Sequence, residues 1–194
     1  YPSQNQEALT KSKIKLNAQA PKIINSSIPC VGFIGAGNYA SRILIPAFKE
    51  AGVVLDTLVT SGGISGVHHG NKNQFVTAST ETKDLWINDK INTVAIVTRH
   101  DAHAQQVLEA LKSGKNVFVE KPLALTLNDL VMIDKAYHDA NKSNTIRLMV
   151  GFNRRYAPHI VKMKELLNSH KSAKSIVMTI NAGAIPTEHW TQNS

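Results

Sequence analysis

The sequence predicts an α/β fold built on an open, doubly wound parallel sheet. Three observations carry that prediction. Apolar runs of strand length recur along the chain, from CVGFIG at Cys30–Gly35 to IRLMVGF at 146–152. Segments with apolar residues at helical spacing separate most of them. A glycine-rich stretch, GAGNYA from Gly35 to Ala40, stands directly after the first run. Strand and helix alternating in this order form β-α-β units, with helices on both faces of a parallel sheet.

Taken in order, residues 1–29 are polar, without a sustained period, and read as a linker or tail. CVGFIG is continuously apolar, as a strand buried on both faces must be. The segment from Asn38 to Ala51 has a helical pattern, with a kink expected at Pro46. Four more strand candidates follow: VVLDTLVT (53–60), FVTA (75–78), TVAIVT (93–98) and NVFVE (116–120). Ala104, Val107, Leu108 and Leu111 make a helical face that Gly114 stops. Leu130, Ile133, Tyr137 and Ala140 make another, started by Thr126 as N-cap with Asp129 three residues on. After IRLMVGF, Tyr156, Ile160, Met163 and Leu167 share one more helical face. KSIVMTINAG (174–183) then reads as a strand opening something new. The expected organisation is a linker or tail over 1–29, a dinucleotide-binding domain over 30–151, and the truncated beginning of a C-terminal α+β substrate domain over 152–194.

Composition narrows the function. With 42% hydrophobic and 19% charged residues the chain is ordinary globular protein. Its net charge of +8 raises nucleic-acid binding as an option, but Lys and Arg are scattered, without a block of like charge or aromatic interleaving. Neither a nucleic acid nor a membrane is an expected partner, since no apolar run approaches the length of a span. The single cysteine, Cys30, excludes an internal disulfide and fits a reducing, cytoplasmic location.

GAGNYA gives the sheet a Rossmann-type character. Gly35 permits a tight turn, Gly37 lets backbone approach a pyrophosphate, and Ala40 stands where the third glycine is replaceable by alanine. Ala36, Asn38 and Tyr39 complete the loop, and the following helix turns its positive N-terminal end toward phosphates. The end of the second strand sorts NAD from NADP by offering an acid or a base. Here Thr60, Ser61, Gly62 and Gly63 offer neither, and Asp56 lies too far back. Thr60 and Ser61 are the candidates for the ribose, and the cofactor is NAD or NADP, with NAD slightly favoured.

The ordered set GAGNYA, TRHDAHA (98–104), VEKPLAL (119–125) and VGFNRRYAP (150–158) resembles the Gfo/Idh/MocA family, the glucose–fructose oxidoreductase and inositol dehydrogenase group. It covers about residues 30 to 160. The family commonly has Thr-Pro-Asn after the fourth strand, with a histidine three residues beyond the Asn. Thr98 and His103 match that pattern; Arg99 and His100 depart from it. Thr98, Arg99 and His103 are cofactor-binding candidates; the resemblance implies that Thr98 lies along the cofactor and that His103 caps or positions the loop. The lysine of the family's Glu-Lys-Pro is Lys121, which the resemblance makes the catalytic residue, binding a substrate hydroxyl and relaying its proton. A carbinol that loses a hydride must also lose its hydroxyl proton, and an amine partly desolvated beside a cationic ring suits that step. Glu120 orients Lys121 or touches the cofactor. Pro122 forces a sharp turn, for which a cis Lys121–Pro122 bond is expected. Arg154 and Arg155 begin a linker helix, Arg154 reaching the cofactor or a carboxylated substrate. No metal site is expected: His100 and His103 lack a third ligand, and His68 and His69 read as surface residues.

The implied reaction is hydride transfer between nicotinamide and a carbinol of a sugar, cyclitol or nucleotide-sugar. The alternative is a non-catalytic dinucleotide-binding or regulatory module. The resemblance also implies a homo-oligomer in the full-length protein and a catalytic histidine beyond this chain, which His189 should not be taken for. NAGAIPTEHW (181–190) is similar to a subfamily fused behind a zinc-type alcohol-dehydrogenase-like domain.

Overall fold

A computed structural model of the chain describes residues 11–16, 28–142, 145–169, 171–181 and 183–187. The chain divides into two compact units, residues 1–151 and residues 152–194.

The first unit contains seven strands: β1 (Lys13–Lys15), β2 (Cys30–Ile34), β3 (Val54–Val59), β4 (Thr77–Ser79), β5 (Thr93–Ile96), β6 (Asn116–Glu120) and β7 (Leu148–Gly151). They form one sheet in the order β1-β4-β3-β2-β5-β6-β7. Every neighbouring pair is parallel except β1 with β4. The helices are α1 (Ile45–Glu50), α2 (Gly63–Asn73), α3 (Lys83–Trp86), α4 (His100–Lys112) and α5 (Leu127–Ala140).

The continuous apolar runs work because successive strand residues face opposite sides. Cys30 and Ile34 of β2, Val94 and Ile96 of β5, and Val117 and Val119 of β6 join one core with Val107, Leu111 and Ile133 from α4 and α5. Val31, Phe33 and Ala95 point the other way, into a second core with Leu44, Ile45, Leu58 and Phe75. Phe33 is its centre, edge-on to Phe48 at 5.2 Å and to Phe75 at 5.9 Å.

Pro46 does more than kink the first helix. Ala40–Leu44 is π-helical, and the Ile45 N–H reaches back to the Ala40 carbonyl. The helix then restarts with Pro46 in the opening turn of α1, where a missing N–H breaks no ladder. Thr126 caps α5 as expected: its Oγ1 accepts from the Asp129 N–H at 3.1 Å and donates to the Asp129 carboxylate at 2.7 Å.

Three local readings change. Residues 13–15, inside the stretch read as a linker or tail, form the antiparallel edge strand β1. Leu16 beyond it packs over Gly70 and against the second core, while Lys13 pairs with Asp84 at 3.6 Å. Helix α2 had no expectation, because its core-facing positions include Gly66 and Gly70 rather than large apolar residues. KSIVMTINAG forms no strand among its described residues, where Ile176, Val177, Met178 and Ile180 are exposed. A strand exists only through a ladder partner, and the described residues of the second unit supply none. That unit instead has a 3₁₀ turn at Asn153–Tyr156 and the helix α6 (Pro158–Asn168).

Phe33 is fully buried, so Phe33→Ala is expected to destabilise the chain by about 3–5 kcal/mol, measured by urea denaturation.

Candidate functional site

Parallel strands share a carboxyl edge, and the chain leaves β2 and β5 toward opposite sides of the sheet. Their ends therefore flank the crevice where open α/β sheets bind ligands. Gly35 stands at that point with φ 99°. Its N–H donates to the Val59 carbonyl at 2.8 Å, and a β-carbon there would collide with the Val97 carbonyl. Gly37, two residues on, is exposed, and no heavy atom lies within 4 Å of where its β-carbon would be. Asn38 and Tyr39 already belong to the helix, whose opening is sealed by the Ser41 N–H on the Gly37 carbonyl at 2.8 Å. The loop thus has one glycine that closes it onto the protein and one that leaves it open for a ligand.

The end of β3 is polar but uncharged. Thr60 is buried and its hydroxyl donates to the Gly62 carbonyl at 2.8 Å, which bends the turn and leaves Ser61 exposed. Asp56 is buried inside the strand, accepting from Thr57 Oγ1 at 2.7 Å and Asn88 Nδ2 at 2.9 Å. That carboxylate is committed within the fold, so β3 presents hydroxyls and backbone at the edge.

The ends of β5 and β6 are tied together. His103 of α4 is fully buried, with Nδ1 2.7 Å from the Pro122 carbonyl and Nε2 3.1 Å from the Thr98 carbonyl. The Thr98 hydroxyl donates to Gln106 Oε1 at 2.8 Å. Gln106 escaped the sequence reading, although it lies one helical turn past His103 and so on the same face. Arg99 is exposed at the N-cap of α4. Burial pushes the His100 imidazole below its ordinary range, helped by the charges of His103 and Lys121.

Glu120 and Lys121 differ sharply. Burial pushes the Glu120 carboxyl up, against the opposing pull of the Lys121 N–H and the charges of Lys121 and His103. Its Oε1 is buried without a hydrogen-bond partner, close to Gly151. Lys121 is exposed rather than desolvated within this chain, because it lies past the last residue of β6. The Lys121–Pro122 peptide is cis, as expected. Arg154 is exposed in the 3₁₀ turn of the second unit, not at a helix start; the helix begins at Pro158. Among the described residues, no three His, Cys, Asp or Glu side chains gather in a metal-binding group.

An open glycine cradle at a helix start, polar turns along one carboxyl edge and an unpartnered buried carboxylate oxygen fit a dinucleotide. This is the construction of a dinucleotide-binding Rossmann domain. The model of an oxidoreductase family with an NAD-binding Rossmann fold matches residues 30–152, and the chain belongs to this Gfo/Idh/MocA family. Oxidoreductase P35 of Formosa agariphila is 32% identical over 140 residues, 72% of this chain and 42% of that protein. An inositol 2-dehydrogenase/D-chiro-inositol 3-dehydrogenase of Lactiplantibacillus plantarum is 31% identical over 150 residues, 76% of this chain and 42% of that protein. The chain thus spans less than half the length of these curated relatives. A 3-ketoreductase from Actinomadura kijaniata, solved with TDP-benzene and NADP, shares the fold at TM-score 0.65 and 19% identity, over 73% of this chain and 44% of that one. No described helix is long and apolar enough to cross a membrane.

The Glu120 shift has a stability consequence. The folded chain holds this proton more tightly than the unfolded one, whose value lies near 4.5. The penalty for ionising it is therefore absent below about pH 4.5 and grows as pH rises through the raised folded value. Glu120→Gln is expected to melt at a higher temperature than the parent chain at pH 7. Scanning calorimetry should show the difference closing below about pH 4.5.

Proposed function

We propose that this chain is the cofactor-binding part of a dehydrogenase that moves a hydride between NAD(P) and a carbinol of a sugar, cyclitol or nucleotide-sugar. What supports the reading is that Gly35–Tyr39, Thr98–Arg99 and Glu120–Lys121 lie at the carboxyl ends of the neighbouring strands β2, β5 and β6. The inositol dehydrogenase activity of its Lactiplantibacillus plantarum relative agrees with that substrate class.

The residues divide the work. Ala36, Gly37, Asn38 and Tyr39 would hold the pyrophosphate through backbone and the helix start. Thr60 and Ser61 would take the adenosine ribose. With no carboxylate at the end of β3, neither a 2′-hydroxyl nor a 2′-phosphate meets like charge. Thr98 and Arg99 flank the ligand, and His103 fixes the loop that bears them. A nicotinamide held there would supply the acceptor or donor of the hydride. Lys121 binds the reacting hydroxyl and relays its proton, with Glu120 beside it setting the local charge. Arg154 contacts the cofactor or a carboxylate of the substrate.

The same reading makes 1–29 a connection that lends β1 to the sheet, and 152–194 the start of a substrate domain completed in a longer chain. In that chain we place the second catalytic group, a homo-oligomeric assembly in a reducing cytoplasm, and an N-terminal zinc-type alcohol-dehydrogenase-like partner domain. The similarity of NAGAIPTEHW to such a fusion supports the last point; His189 and Trp190 lie outside the described residues.

Titrating the chain with NADH and NADPH, read by energy transfer from Trp86, should give saturable binding. Gly37→Asp puts a carboxylate against the phosphates and should weaken it by at least about tenfold. Lys121→Ala in the longer protein should lower kcat by about 10²–10⁴-fold while cofactor binding persists. Cofactor binding without turnover in that protein would favour the regulatory alternative, and no binding by either form would sink both.

A further inference from the structure

Among the described residues, the ring nitrogens of His103 face two carbonyl oxygens: Pro122 at 2.7 Å from Nδ1 and Thr98 at 3.1 Å from Nε2. A carbonyl oxygen only accepts, and a neutral imidazole carries one N–H. Both contacts are hydrogen bonds only when the ring is cationic. In the neutral ring one is lost, and the ring is too buried for water to replace it. The contact at Nδ1 is the shorter of the two.

We propose that His103 is a positioning residue that holds the Lys121–Pro122 turn through Nδ1 in either charge state and holds the loop after β5 through Nε2 only as the cation. The two sides of the crevice are then coupled differently to pH. The turn bearing Lys121 stays anchored. The loop bearing Thr98 and Arg99 loosens as the ring loses its second proton.

Charges that bear on the ring come from both neighbouring elements. On its own helix, His100 sits with ring centroids 5.7 Å apart and feels the charge of His103, while Asp101 acts on His100 with the other sign. From the end of β6, Glu120 interacts electrostatically with His103, and Lys121 acts on both Glu120 and His100. Thr98 Oγ1 is engaged by Gln106, so it offers the ring no alternative partner.

The consequence for ligand affinity rests on the cofactor reading; the two-sided clamp does not. Nitrogen-15 NMR of the 194-residue chain tests the clamp without any ligand. The neutral ring should be the Nδ1–H tautomer, whereas exposed imidazoles favour Nε2–H. Through the titration, the Arg99 amide, bonded to the Thr98 carbonyl, should shift with the ring. The Leu123 amide, bonded to the Pro122 carbonyl, should stay in place. An Nε2–H tautomer, a Leu123 amide that moves with the ring, or a ring that never changes charge between about pH 5 and 9 would overturn the proposal. NADH titrations across the same range should show affinity falling about tenfold as the ring discharges. His103→Gln, which cannot titrate, should flatten that dependence. An unchanged profile in His103→Gln would overturn the link to affinity. If the NMR result is as expected but NADH does not bind, the clamp stands and the cofactor reading falls.

Discussion

Gly35 turns over the end of β2 at a positive φ, with the Val97 carbonyl against the place a β-carbon would take. No side chain fits there, and that close approach is what brings the ends of β2 and β5 to one place. The Gly35 N–H bonds β3 through Val59, and the Val97 N–H bonds β2 through Ile34 at 2.9 Å. Three strand ends are thereby fixed to each other within a few residues of the open position at Gly37. Opening this contact would separate the phosphate loop from the strands that carry Thr98 and, one strand further, Glu120.

The two edges of the sheet solve their polar accounting differently. At the amino edge the buried Lys115 side chain and the Cys30 backbone are committed. Lys115 is buried and donates to the Asn88 and Ile91 carbonyls at 3.0 and 2.8 Å, burial pushing its ammonium down. The Asn92 side chain accepts from the Cys30 N–H at 3.1 Å, and burial raises the Cys30 thiol to about 11, so that thiol is inert. At the carboxyl edge the groups are incompletely paired: Glu120 keeps an unpartnered oxygen, and His103 faces one acceptor more than its neutral form can serve. Unfinished pairing is costly inside a protein and concentrates where a ligand or a proton completes it.

Much of this was legible beforehand. β6 spans Asn116–Glu120, the same residues as the NVFVE run, because Val117, Phe118 and Val119 mark the strand between its two polar ends. Gly35, Gly37, Thr126, Asp129 and Gly114 were readable because turns and caps depend on local chemistry. β1 was not, since three residues alternating Lys-Ile-Lys carry too little pattern and the strand exists only by pairing with β4. Helix α2 was hidden because glycines occupy its sheet-facing positions.

By itself, then, the sequence determined the parallel sheet, the phosphate loop and the Glu-Lys-Pro turn, since each follows from residues adjacent in the chain. Tertiary structure alone decided that Glu120 is strained by burial while Lys121 beside it is exposed, and that His103 bridges Thr98 and Pro122. Those facts depend on contacts between segments 5 and 19 residues apart, brought together by the register of β5 and β6. A one-dimensional pattern encodes which face a residue takes, but not which carbonyl it will find there.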